Sequence, residues 1–438
     1  MDNDPQLKSL YSSVAFYAGK ITKNEDGATE INKTIQEMKT QLASMNTTLQ
    51  TLKTQLTNTQ TQITALQSCA CNDSGITQTP PPPTTTTTAV LPPGPGTGTM
   101  QDPYKIATVN DLEKFRGLWR SNTGKYFIVT KDIDLSSIPN FTPLPEFQGT
   151  LDGNNKRILN LKMDRSQIQY DNYASFFTHI RRGAVVKNLG FENVDIKGNR
   201  AAAALATDNY GTVDNCYSTG QVSSTDTYGR TGGLVSLSWT GSVIKNSYST
   251  ARVSGNYYSG GLVGSMYKST VEKCYATGAV SVVDGEAGGL VALMSSGVIR
   301  ESYATGSVSA GKYYAGGLVA LANNNPQSVI ENSYSSGSVS AFGICGGLVG
   351  DLRVKCKVTN SYSSGSVSSK QSRVDRIGVL VGEGGGAIIN SYGKSQPGVS
   401  DTRGQKTDTE LRNPSTFSSW DKTIWQIESD KYPKLKGF

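Results

Sequence analysis

Two different alternations of apolar and polar residues divide this chain. Between positions 7 and 66 the apolar residues recur every three or four places. One series is Leu7, Val14, Ile21, Ala28, Ile35, Leu42, Leu49, Leu56 and Ile63. The other is Leu10, Tyr17, Asn24, Ile31, Met38, Met45, Leu52, Thr59 and Leu66. A heptad spacing keeps one helix seam facing its neighbours, so residues 1–70 are predicted to form an α-helical coiled-coil stalk, cleanest over 31–66. The segment 31–66 lacks the turns a helical hairpin needs, which favours parallel self-association. Its seam suits two strands or three, and the layout of the whole chain makes a homotrimer the expectation.

Beyond position 166 the helical period disappears. Short runs of Val, Ile and Tyr are punctuated by Gly, Asn and Ser. Leu205, Leu234, Leu262, Leu290, Leu318, Leu348 and Leu380 follow one another at intervals of 29, 28, 28, 28, 30 and 32 residues. A second series keeps the same beat: Asn215-Cys216-Tyr217, Asn246-Ser247-Tyr248, Lys273-Cys274-Tyr275, Glu301-Ser302-Tyr303, Asn332-Ser333-Tyr334, Asn360-Ser361-Tyr362 and Asn390-Ser391-Tyr392. A fixed period of this length means stacked units, none of which buries its apolar face alone. The predicted fold is therefore mainly β, a parallel and right-handed β-helix solenoid over 166–396. A lead-in or N-terminal cap at 101–165 precedes it, and an aromatic C-terminal cap at 397–438 closes it. Asn suits the corners because it tolerates left-handed backbone angles. Cys216 and Cys274 share a repeat position with Ser and are read as small core residues.

Between stalk and head, Pro80–Pro83, Thr84–Thr88 and Pro92-Pro93-Gly94-Pro95-Gly96 mark residues 71–100 as an extended linker. Cys69 and Cys71 stand just past the last heptad. They are read either as a possible interchain disulfide in an oxidising compartment or as exposed reduced thiols.

Charge narrows the partners. The net charge of +7 comes from 42 basic and 35 acidic residues with no basic run, so no nucleic acid is expected. No apolar stretch approaches the roughly 18 to 20 residues of a membrane span. Met1–Lys20 shows no secretory pattern, so the expected extracellular, cell-surface or virion-surface location implies either a leader absent from this sequence or another route, such as assembly onto a virus particle.

The Gly260-Gly261-Leu262-Val263-Gly264 and Gly346-Gly347-Leu348-Val349-Gly350 cores, with their Asn-Ser-Tyr partners, resemble the GLUG-motif repeats of bacterial surface proteins. These include filamentous-haemagglutinin-like adhesins and the non-catalytic parts of IgA-peptidase-type proteins. Asp102-Pro103-Tyr104, Gly149-Thr150-Leu151-Asp152-Gly153 and the ending Trp420, Trp425, Tyr432-Pro433 extend the resemblance over about 98–438. It implies a β-helix and attachment to a surface. Ala203-Ala204, Val379, Lys273 and Glu301 depart from the motif.

A carbohydrate-active β-helix enzyme, lyase or hydrolase, would need clustered carboxylates. Asp132, Asp134 and Asp152 are the best group, with turn and cap bonding the preferred reading. His179 is the only histidine and is read as structural, and no His-Glu-x-x-His or phosphate loop appears. No catalytic residue, metal or cofactor is expected. The ligand-binding candidates are Tyr217, Tyr248, Tyr275, Tyr303, Tyr334, Tyr362 and Tyr392, together with Tyr258, Tyr313, Tyr314 and Trp239 at turns. The first seven form either an outward platform for sugars or a ladder that only supports the sheet. The expected function is that of a non-enzymatic trimeric fibre or adhesin, attaching to a surface glycan or receptor. A structural spike or scaffold component is the alternative beside the enzyme.

Overall fold

The computed structural model describes residues 94–438 apart from 119–120, 169–172, 324–326 and 371–375, together with Gln36, Lys39, Ala43 and Gln50, which are helical and exposed. The stalk, its trimer, the linker as far as 93 and the Cys69 and Cys71 pair lie outside the described residues. The chain divides into two units, 1–87 and 88–438. The account that follows concerns the second.

Each repeat is one coil of a parallel β-solenoid, built from runs too short to form anything larger alone. In one coil these are Val298–Arg300, Tyr303–Ala304, Val308–Ser309, Tyr314–Gly316 and Val319–Asn323. Each run pairs in parallel with its counterpart in the next coil, as Val298 with Val329, Tyr303 with Tyr334, Val308 with Val339, Tyr314 with Ile344 and Val319 with Val349. Among the described residues the pairings make sheets of 26, eight and seven strands, and only Trp425–Gln426 with Lys434–Leu435 is antiparallel in a separate two-stranded sheet. The Leu row of the repeat and the Val or Ile row before the Asn corner form the core and are fully buried, apart from the partly buried Ile388 in the last coil.

The corners explain the motif. Asn188, Asn215, Asn246, Asn332, Asn360 and Asn390 all take positive φ, and so do Lys273 and Glu301 at the same position. At the other corner the backbone folds so sharply that a Cβ at Gly260 would lie 2.0 Å from the Val263 carbonyl oxygen, and one at Gly288 1.9 Å from that of Val291. Only glycine fits there.

Buried polar groups between these corners are paired along the axis. The hydroxyl of Ser302 accepts the Cys274 N–H at 3.1 Å, that of Ser333 accepts from Ser302 at 3.2 Å, and that of Ser361 accepts from Ser333 at 3.1 Å. Each of these hydroxyls donates to the carbonyl two residues before it. The serine of the motif thus satisfies a backbone N–H that the corner removes from the strand ladder. Cys216 and Cys274 are buried at this position, where burial pushes each thiol up to about 12.

Three boundaries differ from the sequence reading. The solenoid starts before 166, because Tyr104–Ile106, Tyr126–Val129 and Thr150–Leu159 already stack in parallel, with one helix, Val109–Gly117, tucking Leu112 and Phe115 into the core. The last seven residues assigned to the linker belong to the head: Lys105 N–H bonds to Pro95, and Thr97 and Gly98 N–H to Asp102. The C-terminal segment does more than close the end. Gln405–Lys406 adds to the last coil, but residues 411–438 turn back along the solenoid and lie over the tyrosine row.

Candidate functional site

Strand alternation sends Cys216 and its equivalents inward, and the tyrosine that follows each points outward. From Tyr217 to Tyr362 neighbouring rings stack with centroids 4.6 to 5.1 Å apart and planes within 8° of parallel. The row is not uniformly open. Trp425 donates its indole N–H to Asn332, Trp420 donates to the Asn390 carbonyl at 2.9 Å, and the Tyr362 hydroxyl donates to the Pro433 carbonyl at 2.7 Å. Tyr362 is 2% exposed, Tyr392 meets Phe417 and Trp420, Tyr334 meets Trp425, and Phe438 packs edge-on against Tyr275 and Tyr303. The chain's own C-terminus therefore occupies the row from Tyr392 back to Tyr275, leaving Tyr217 and Tyr248 outside that cover. Tyr217 donates to Glu192 at 2.6 Å. Near these two, Lys162, Asp195, Gln221 and Arg252 line an open polar cleft of about 620 Å³.

A second aromatic face follows the turns. Tyr228, Tyr257 and Tyr313 come from separate coils, with centroids 5.8 Å apart for the first pair and 6.1 Å for the second. Tyr228 is 58% exposed, and Tyr313 and the nearby Phe342 are each 46% exposed. Exposed aromatics grouped in this way mark a contact surface more often than scattered ones do. Tyr258 and Tyr314 are half-buried just inside this face.

Trp239 belongs to a third group. It stacks on Tyr210 at 5.8 Å with planes 6° apart, lies edge-on to Tyr267, and donates to Asp208 at 2.6 Å. Asp208 also faces His179 across 3.5 Å. Burial lowers the His179 pKa and raises that of Asp208. Both are mostly buried, beside Tyr173 and the Arg181–Glu146 ion pair.

Asp132, Asp134 and Asp152 are engaged separately. Asp132 pairs with Arg157, Asp134 accepts from Ser136 N–H and the Asn160 amide, and Asp152 accepts from Asn154 N–H and the Asn188 amide. The last two start amide ladders that continue from Asn160 to Asn193 and from Asn188 to Asn215. These carboxylates cap turns.

The sequence reading missed the junction between the seven- and eight-stranded sheets. The sharp glycine corner sets two outward rows facing each other. One is Ala201, Arg230, Tyr258, Glu286, Tyr314 and Ile344, and the other Asp208, Leu237, Ser265, Leu293, Leu321, Asp351 and Glu383. Arg353 joins them, bonding Asp351 at 2.8 Å and the Tyr314 hydroxyl at 3.3 Å. Burial raises the Glu286 carboxyl to about 8 and that of Asp351 to about 6. The signal was present: Glu286 holds a position before Gly-Gly that is Tyr258 and Tyr314 in the flanking coils. Among the described residues no group of three or more His, Cys, Asp or Glu is placed to hold a metal ion.

Stacked parallel coils with side-chain ladders inside and aromatic rows outside define a β-solenoid that presents repeated surface. Two of its repeats, residues 255–282 and 311–340, match the family model described as "The GLUG motif". Halomucin of Haloquadratum walsbyi is 30% identical over 164 residues, 35% of this chain and 2% of that protein. A protein of Evansella cellulosilytica, assigned as a Gly-rich membrane protein, is 31% identical over 132 residues, 27% of this chain and 15% of the other. The chain thus spans a small part of the length of both relatives. Among solved structures, one assigned as an immunoglobulin A1 protease from Bacteroides ovatus is 22% identical with a TM-score of 0.49, covering 78% of this chain and 94% of that one. Another, IgA1 Protease, is 19% identical with a TM-score of 0.43, covering 69% of this chain and 21% of that one. Among the described residues no helix is long and apolar enough to cross a membrane.

Proposed function

We propose that this chain is a non-enzymatic attachment protein of an extracellular or particle surface, a homotrimer joined through residues 31–66 whose solenoid heads grip a glycan. The observation that carries the reading is the aromatic face of exposed Tyr228, Tyr313 and Phe342 with half-buried Tyr257 among them, contributed by four coils of a rigid scaffold. Sugars present flat C–H faces that pack on such rings, and a face built from successive coils suits a chain of sugars better than a single small molecule. The open Tyr217–Tyr248 end of the ladder offers a second platform of the same kind. Three heads on one stalk would multiply weak contacts into avidity.

The test is a glycan-array screen of the full chain beside a variant carrying Tyr228→Ala, Tyr257→Ala and Tyr313→Ala. The reading expects hits for the first and at least a tenfold loss for the second. An array without hits favours the structural spike or scaffold. A carbohydrate-active enzyme is the second reading, favoured by the raised carboxyls of Glu286 and Asp351 on the two facing rows, since a protonated acid near neutral pH is what glycoside hydrolysis requires. Release of shortened oligosaccharides from a hit would establish it.

A further inference from the structure

The open polar cleft near Tyr217 and Tyr248 lies where the solenoid changes girth. Ser218 pairs with Phe191 and Gly220 with Val194, so Glu192 and Asn193 together oppose the single residue Thr219. From Gly220 onward the coils turn this corner with one residue fewer. Gly220 makes the step possible, since its φ is 108° and a Cβ there would lie 2.3 Å from the Val194 carbonyl oxygen. The step also ends an amide ladder. Asp134 accepts from Asn160 and Asn160 from Asn193, but the shorter coil supplies no further asparagine. The side-chain oxygen of Asn193, a residue of the cleft wall, therefore receives no donor among the described residues.

Across the step runs a row of four side chains in register, Lys162, Asp195, Gln221 and Arg252, one from each of four successive coils. Gln221 donates to one Asp195 oxygen at 2.9 Å, which leaves the other Asp195 oxygen and the Gln221 carbonyl unbonded among the described residues. Lys162 and Arg252 are exposed and form no ion pair with any described residue. The cleft encloses about 620 Å³ and is open to solvent, so a ligand reaches all of these groups without any part of the fold moving.

We propose that this cleft binds a uronate-bearing acidic polysaccharide lying along the solenoid axis, with carboxylates on Arg252 and Lys162 and ring hydroxyls on Asn193, Asp195 and Gln221. The proposal rests on the attachment reading and gives it a second site with its ligand class. Coils repeat about every 4.8 Å, so the row spans about 14 Å between its two cations. That length suits a short run of sugars and exceeds a single one. Cations at both ends with free acceptors between them call for a ligand that carries negative charge and hydroxyl donors together. Arg252 can take a carboxylate through two parallel N–H bonds, and Lys162 takes one as a point charge. An acidic peptide supplies carboxylates but no row of hydroxyls for the acceptors. Nor can its backbone add to the sheet, because the middle strands of the cleft are paired on both sides.

The test is calorimetric titration of the full chain at neutral pH and low salt with hexagalacturonate, a hyaluronan hexasaccharide and cellohexaose, each variant first shown by thermal melting to be folded. At least one of the two acidic sugars is expected to bind about tenfold or more tightly than cellohexaose. Lys162→Gln combined with Arg252→Gln should weaken that binding about tenfold or more, through loss of charge-assisted hydrogen bonds. Lys105→Gln combined with Lys434→Gln removes the same charge outside the cleft and should change affinity by less than about twofold. Equal losses from the two double variants would mean that net charge alone attracts the sugar, and would overturn the cleft. Unchanged affinity in the first double variant overturns it too, and leaves attachment through the exposed aromatic face standing. Cellohexaose bound as tightly as the acidic sugars overturns the ligand class. Absence of binding by both acidic sugars overturns the proposal outright, and the attachment reading falls with it only if the glycan array is also blank.

Discussion

Ser302 shows how one side chain holds a coil in place. Its hydroxyl accepts the buried Cys274 N–H and donates to the Arg300 carbonyl at 2.8 Å. Ser302→Ala strands that N–H without water, at a cost of about 1 to 3 kcal/mol. Cys274→Ser is a different matter. The Cys274 sulfur already meets the Ser247 N–H and the Glu272 carbonyl, so a hydroxyl takes over the same contacts, and stability should change by less than about 1 kcal/mol. Denaturant melts of the two variants check the contrast. Much of this was legible: a Cys standing where five of the seven repeats have Ser identifies a small inward residue. The hydrogen bond itself was not legible, because it joins residues a whole coil apart.

At the scale of elements, the least legible feature is the C-terminal segment. The repeats announce themselves by identity of residues at a fixed interval, whereas Trp420, Trp425 and Phe438 belong to no period. Their contacts reach far back in sequence, as from Trp425 to Asn332. A run of aromatics at a chain end reads as a cap, and only the fold shows it lying along the ladder. Removing residues 411–438 is expected to uncover Tyr275, Tyr303, Tyr334, Tyr362 and Tyr392, lower the melting temperature by several degrees and raise binding of a hydrophobic dye. An unchanged melt would mean that the segment contributes nothing to the ladder it covers. The glycine corner was legible as a motif, but the two rows it brings face to face were not, since sequence does not reveal which side of the bend is concave. Gly288→Ala forces a methyl against the Val291 carbonyl, and a loss of about 2 kcal/mol or more is expected in the same melts.

For the whole molecule, the period of 28 to 32 residues was enough to predict a parallel solenoid, because no single repeat buries its own apolar face. Function was less legible. The tyrosine row was the natural candidate from its regularity, yet regularity serves stacking, and five of its rings, Tyr275, Tyr303, Tyr334, Tyr362 and Tyr392, lie beneath the C-terminal segment. The less regular turn aromatics carry more exposed surface. The central claim, attachment by several heads acting together, is tested most directly by dissociation from a surface coated with a glycan that the array identifies. The full chain and residues 94–438 alone are compared by surface plasmon resonance. The account predicts that the full chain leaves at least about a hundredfold more slowly than the single head, the gain that linked heads supply. Equal dissociation rates would contradict it.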